Sequence, residues 1–123
     1  MACELFWEKN GVIEMYSGTV TGPEMSSINN LVAADPRFDD LHWVIADTSN
    51  AFSTSEIADH YEEAAAMAHA ASLSNNRIAI AVVAPDPELA EIISRFQQHP
   101  IPFPFQVFPT MEAARAWVLA AST

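Results

Sequence analysis

The run Arg77-Ile78-Ala79-Ile80-Ala81-Val82-Val83-Ala84-Pro85 constrains this chain more than any other stretch. It is continuously apolar after its first residue, rich in β-branched side chains, and bounded by the polar turn Ser74 to Asn76 and by Pro85. Such a run reads as an internal strand buried on both faces. A membrane-spanning helix needs about 20 apolar residues, so the run is too short to cross a bilayer. Its Ile and Val content argues against a buried helix of the same length. The remaining elements must therefore pack around it.

The chain has 123 residues, enough for one domain over residues 1–123. A domain of this size buries roughly two-thirds of the surface its unfolded chain exposes. Cys3 is the single cysteine, so no intramolecular disulfide can form, and stability must come from packing in what is most simply a reducing cytoplasm. Glu4, Glu8, Lys9 and Glu14 interrupt the apolar pattern near the start, which excludes a signal peptide's uninterrupted apolar middle. No stretch reads as inserting into a membrane. Sixteen acidic residues against five basic ones give a net charge of −11, which repels phosphate backbones and anionic headgroups. Nucleic acid is excluded as a partner on this ground. The acidity itself reads as solubility, with a basic protein partner as the other possibility.

Taken in order, Leu5-Phe6-Trp7-Glu8-Lys9 and Val12-Ile13-Glu14-Met15-Tyr16 flank Asn10-Gly11, a hairpin signal because Asn-Gly accepts the positive φ angles of a type I′ turn. Pairing Lys9 opposite Val12 puts Phe6, Glu8, Ile13 and Met15 on one face and Leu5, Trp7, Val12, Glu14 and Tyr16 on the other. Thr21 and Glu24 have capping-box spacing and Pro23 fits a first turn, so a helix runs to about Ala34 with Met25, Ile28, Leu31 and Val32 inward. Asp35-Pro36 stops it. Leu41 to Asp47 is the next strand, with Asp47 at its C-terminal end. Ser53 and Glu56 cap a long helix to about Leu73, with Ile57, Tyr61, Ala64, Ala68 and Ala71 inward. Asp86-Pro87-Glu88 opens a helix carrying Leu89, Ile92, Ile93 and Phe96. The alternating prolines of His99 to Pro104 predict an extended connection in which Ile101, Phe103 and Phe105 edge a core or a pocket. Phe105 to Phe108 is the last strand, and Thr110 caps a final helix with Ala114, Trp117, Val118 and Ala121 at core spacing.

After the hairpin, helices and strands alternate. The predicted architecture is a single α/β domain with a mixed, mostly parallel five-stranded sheet, about four helices and right-handed crossovers. If every helix lies on one face, the other face is bare. The hairpin residues Leu5, Trp7, Val12 and Tyr16 then form a candidate interface for a homodimer.

The opening hairpin, Asp35-Pro36-Arg37-Phe38-Asp39 before a strand reaching Asp47, the apolar strand to Pro85, and Val107-Phe108-Pro109-Thr110-Met111-Glu112-Ala113-Ala114-Arg115-Ala116-Trp117-Val118 resemble the SpoIIAA-like proteins of the STAS and CRAL-TRIO fold group. The resemblance covers nearly the whole chain. It implies a βα superhelix in a bacterial protein, and roles in protein interaction or apolar-ligand binding instead of catalysis. STAS regulators carry a phosphorylatable serine in an Asp-Ser-Ser-Gly turn, and the matching stretch Phe52-Ser53-Thr54-Ser55-Glu56-Ile57 places Thr54 at that position. Ser53 stands for the aspartate and Glu56 for the glycine, and capping a helix is the other role of these hydroxyls. The loop Asp47 to Ser55, with Asp47, Ser49, Ser53, Thr54 and Ser55, is thus the candidate regulatory or ligand loop.

Chemistry beyond this is sparse. His60 with Glu56 and Glu63 lacks a second histidine, since His69 lies on the opposite side of the helix, so these side chains read as a solvated acidic face. There is no Gly-x-Ser-x-Gly elbow, and three glycines leave no phosphate-cradling loop. Cys3 has no basic neighbour to activate it. The sequence names no catalytic residue, metal or cofactor. Its first functional reading is a non-enzymatic interaction or regulatory domain that self-associates. The second is a carrier or sensor of a small apolar ligand held between sheet and helices.

Overall fold

The computed structural model describes residues 2–52, 61–98 and 101–121. Five strands form one sheet in the order of the chain: β1 (Ala2–Glu8), β2 (Gly11–Thr19), β3 (Trp43–Phe52), β4 (Ala79–Val83) and β5 (Phe105–Phe108). β1 is antiparallel to β2, and the other pairs are parallel. The helices are α1 (Gly22–Ala34), α2 (Tyr61–Ser72), α3 (Pro87–Ser94) and α4 (Met111–Ala121), with 3-10 turns at Pro36–Asp40 and Arg95–Gln98. This is the mixed α/β sheet with an opening hairpin that the alternation predicts.

Caps set the helix starts. The Thr21 hydroxyl accepts from the Glu24 amide and donates to the Glu24 carboxylate at 2.8 Å, and Asp86 accepts from the Glu88 amide. The α2 start proposed at Ser53 lies outside the described residues. α3 ends sooner than its apolar period suggests, and Phe96 belongs to the following 3-10 turn.

The hairpin turn is as short as expected but sits one residue earlier, at Lys9 and Asn10. Trp7, not Lys9, lies opposite Val12, and Glu8 pairs with Gly11. At the turn, Asn10 takes a positive φ, 60°, and Gly11 does not. Gly11 is needed for a different reason: a Cβ there would fall inside the Trp43 indole. Because the register differs by an even number of residues, the two predicted faces survive intact.

What covers those faces differs from expectation. Ile13, Trp43, Ile45, Ala81 and Val83 pack against Ala114 and Val118 of α4. The opposite face, which includes Val12, Glu14, Tyr16, Val44 and Ala46, lies beneath α1, α2 and α3. Three helices arise from crossovers between parallel strands that advance in one direction, so they share a side. α4 follows the last strand and closes the other side, so neither face is bare. Val12 and Tyr16 are fully buried, and Leu5 and Trp7 are half-buried against the protein's own core. The predicted interface is therefore a covered surface, and the dimer argument built on it falls. Leu31, assigned to the inner stripe of α1, is instead 58% exposed.

β3 also runs past Asp47 to Phe52. Its register with β2 shifts by one residue, from Met15 opposite Asp47 to Ser17 opposite Asn50, so Asp47 begins a bulge inside the strand and does not end it.

Candidate functional site

Between the three-helix side and the sheet lies a cavity of about 190 Å³. Strand alternation supplies its floor: Glu14 from β2, Val44 and Ala46 from β3, Ile80 and Val82 from β4, and Phe105 from β5. Its roof comes from Met25, Ser26 and Val32 of α1, from Ala64, Met67, Ala68 and Ala71 of α2, and from Ile93 of α3 with Phe96 just beyond it. The small α2 side chains that face the sheet do not fill the space above Val44 and Ile80. Asn29 and Asn30, both exposed, put amides on the α1 side of the opening.

Within this apolar lining Glu14 is the one titratable side chain among the described residues. It is 2% exposed and lies opposite Ala46, which offers it nothing polar. Tyr16, two residues on and therefore on the same face, donates its hydroxyl to Glu14 Oε1 at 2.9 Å. Glu14 Oε2 is buried with no hydrogen-bond partner among the described residues. Burial pushes the carboxyl up to about 7 from an ordinary 4.5, against the opposing pull of the tyrosine hydrogen bond. The Tyr16 hydroxyl is itself raised by burial and then by the neighbouring carboxyl. Cys3, opposite Tyr16 on β1, is pushed up to about 11 by burial first and the Glu14 charge second, so it is a thiol and a poor nucleophile at neutral pH.

Phe103 and Phe105, proposed to edge a pocket, line this cavity, and Phe103 is buried. Ile101 is half-buried and lies outside the lining. Asp47 and Ser49 are elsewhere, tied to each other: Asp47 Oδ1 accepts from the Ser49 amide at 2.9 Å and from its hydroxyl at 2.6 Å, while the Thr48 hydroxyl donates to the Val83 carbonyl at 2.6 Å. These bonds close the β3 bulge and anchor it to β4. Ser53, Thr54 and Ser55 lie outside the described residues. The described residues contain no group of three or more His, Cys, Asp or Glu placed to hold a metal ion, and no helix among them is long and apolar enough to cross a membrane.

Glu14 is the residue that sequence reasoning passed over. The signal is present, since alternation places a lone carboxyl between Val12 and Tyr16 on an apolar face, but with every helix expected on the other side that face reads as uncovered.

Among solved structures, the anti-sigma factor antagonist SpoIIAA in its unphosphorylated form superposes on this chain with a TM-score of 0.59, covering 96% of this chain and 98% of that one at 15% identity. The fold is SpoIIAA-like. An uncharacterised protein of the DUF3478 family with a SpoIIAA-like fold, from Shewanella loihica PV-4, matches with a TM-score of 0.58 over 95% of this chain and 92% of that one, also at 15% identity. No family model matches the sequence, and no curated protein does. At this identity the SpoIIAA-like likeness speaks for the path of the backbone, and the cavity must be read from this chain's own side chains.

Proposed function

We propose that this SpoIIAA-like domain is a non-enzymatic binding module that takes a small apolar molecule between its sheet and its three-helix layer. One observation carries the reading: the cavity of about 190 Å³ with an almost wholly apolar lining. Well-packed interiors leave few voids larger than a water molecule. An engineered apolar cavity of about 150 Å³ stays dry and takes up benzene, so this one suits a single ring with a short substituent. The likeness of fold to an anti-sigma factor antagonist supports a regulatory module, in which ligand occupancy would change a protein contact, over a catalyst. A cytoplasmic setting, favoured by the single cysteine, belongs to the same proposal.

The test is titration of the protein with propylbenzene, followed by amide chemical shifts. Saturable shifts at Val44, Ile80 and Phe103 are expected. Ala68→Phe, which puts a ring into the space from α2, should abolish them while far-ultraviolet circular dichroism stays the same. A wild-type protein that shows no shifts up to the solubility limit of propylbenzene would remove the ligand reading.

A further inference from the structure

Resting on the cavity reading above, we infer that the natural ligand is an apolar amine, held by its ammonium group on the unpartnered Oε2 of Glu14. Four observations converge on this class. Among the described residues the lining is apolar except for Glu14, Ser26 and the two exposed asparagines, which selects an apolar body. Glu14 is nine-tenths buried or more and keeps one oxygen, Oε2, without a partner among the described residues beside the cavity, which selects a hydrogen-bond donor. A buried polar atom with no partner costs about 1–3 kcal/mol, more when the group is charged, and a donor that reaches it recovers that cost. Among the described residues the lining contains no Lys, Arg or His, so a fatty acid or other apolar anion would find no countercharge there and would meet Glu14 instead.

The fourth observation is the charge of the whole chain. At −11 it concentrates cations and repels anions around the protein, which favours the capture of an amine over an acid of equal size. Tyr16 completes the arrangement as a positioning residue. Its hydroxyl occupies Oε1, fixes the carboxyl, and leaves Oε2 as the atom available to the ligand. Binding involves no covalent step: a protonated amine meets a carboxylate, and the water of both is lost.

The groups facing Glu14 make the pH dependence simple to read. On its own strand the neighbour is Tyr16, and on β1 it is Cys3; both are raised by burial and stay neutral between pH values of about 5 and 8. β3 presents Ala46, and the described residues of α1, α2 and α3 contribute no titratable group to the lining. Among the described residues, Glu14 is thus the group at this site that changes charge in the range.

Calorimetric titration of the intact protein with 2-phenylethylamine and with its uncharged isostere propylbenzene, at about pH 8 and about pH 5.5, tests the inference. The amine should bind roughly tenfold or more tightly at the higher pH, where Glu14 is a carboxylate and the amine still carries its proton, and propylbenzene should show no such change. In Glu14→Gln the ratio of amine to propylbenzene affinity at about pH 8 should fall by roughly tenfold. If propylbenzene binds but the amine shows neither the pH dependence nor the sensitivity to Glu14, the amine assignment is wrong and the apolar cavity stands. If neither compound binds, both readings fall. The wild-type pH comparison decides the matter even if the variant does not fold.

Discussion

Gly11 tolerates no side chain because the Trp43 indole occupies the space where a Cβ would go. Both residues belong to ordered strands, so neither can yield without moving the β2–β3 ladder. Gly11→Ala is expected to lower the unfolding free energy by about 1–3 kcal/mol, the usual cost of overpacking, measured as a shift of the denaturant midpoint. Glu14 makes a second prediction at this scale. The folded state keeps its carboxyl protonated up to about pH 7, whereas the unfolded chain releases that proton near the ordinary 4.5. Folding therefore takes up a proton between these values, and stability falls as pH rises through the window and levels off above it. The loss attributable to Glu14 is about 3 kcal/mol. Glu14→Gln should flatten this part of the pH–stability curve, and equal slopes in the two proteins would show that the carboxyl is already relaxed. The sequence displayed the glycine and the glutamate but hid their roles. Asn-Gly predicts a turn through backbone freedom, whereas Gly11 answers to a tryptophan some thirty positions away, and no local pattern reports such a contact.

Among the elements, the segment before β5 carries the clearest expectation. Phe103 is buried in the cluster that includes Val12, Val44 and Ile78, and it also lines the cavity. Phe103→Ala should cost about 3 kcal/mol, at the low end for a buried phenylalanine because part of its surroundings is already empty. Thermal unfolding checks this, and an unchanged midpoint would show that the neighbouring segment collapses into the gap. Val118 of α4 is fully buried between the helix and the sheet. Val118→Asp should prevent stable docking of α4 by placing an unpaired charge there, seen as loss of near-ultraviolet circular dichroism from Trp43 and Trp117. Element order, caps and hairpin faces were legible because each rests on local chemistry: Thr21 and Asp86 as caps, alternation along β2, prolines around Phe103. The side taken by α4 was not legible. Handedness constrains a helix joining two parallel strands, and α4 joins none. The extension of β3 past Asp47 was hidden for a related reason, since the polar stretch after Asp47 reads as a loop until the bonds of Thr48 to Val83 and of Ser49 to Asp47 are seen.

For the molecule as a whole, sixteen carboxylates and five cations make self-repulsion a standing cost of the compact state. Raising the ionic strength from about 0.01 M to 0.15 M shortens the screening length from about 30 Å to 8 Å and should raise the thermal midpoint by a few degrees. A fall instead would mean that ion pairs such as Glu8 with Arg115, at 2.8 Å, outweigh the repulsion. The sequential strand order has a further consequence for how the protein is made. Each strand finds its partner in the strand just before it, so the sheet can grow on the ribosome by successive additions. The face formed by Ile13, Trp43, Ile45, Ala81 and Val83 has no such luck: its cover is α4, which is translated after all five strands. A nascent chain thus carries a nearly complete sheet with one apolar side open to solvent. The interval between synthesis of β5 and docking of α4 is when a chaperone, or a second nascent copy, would find it.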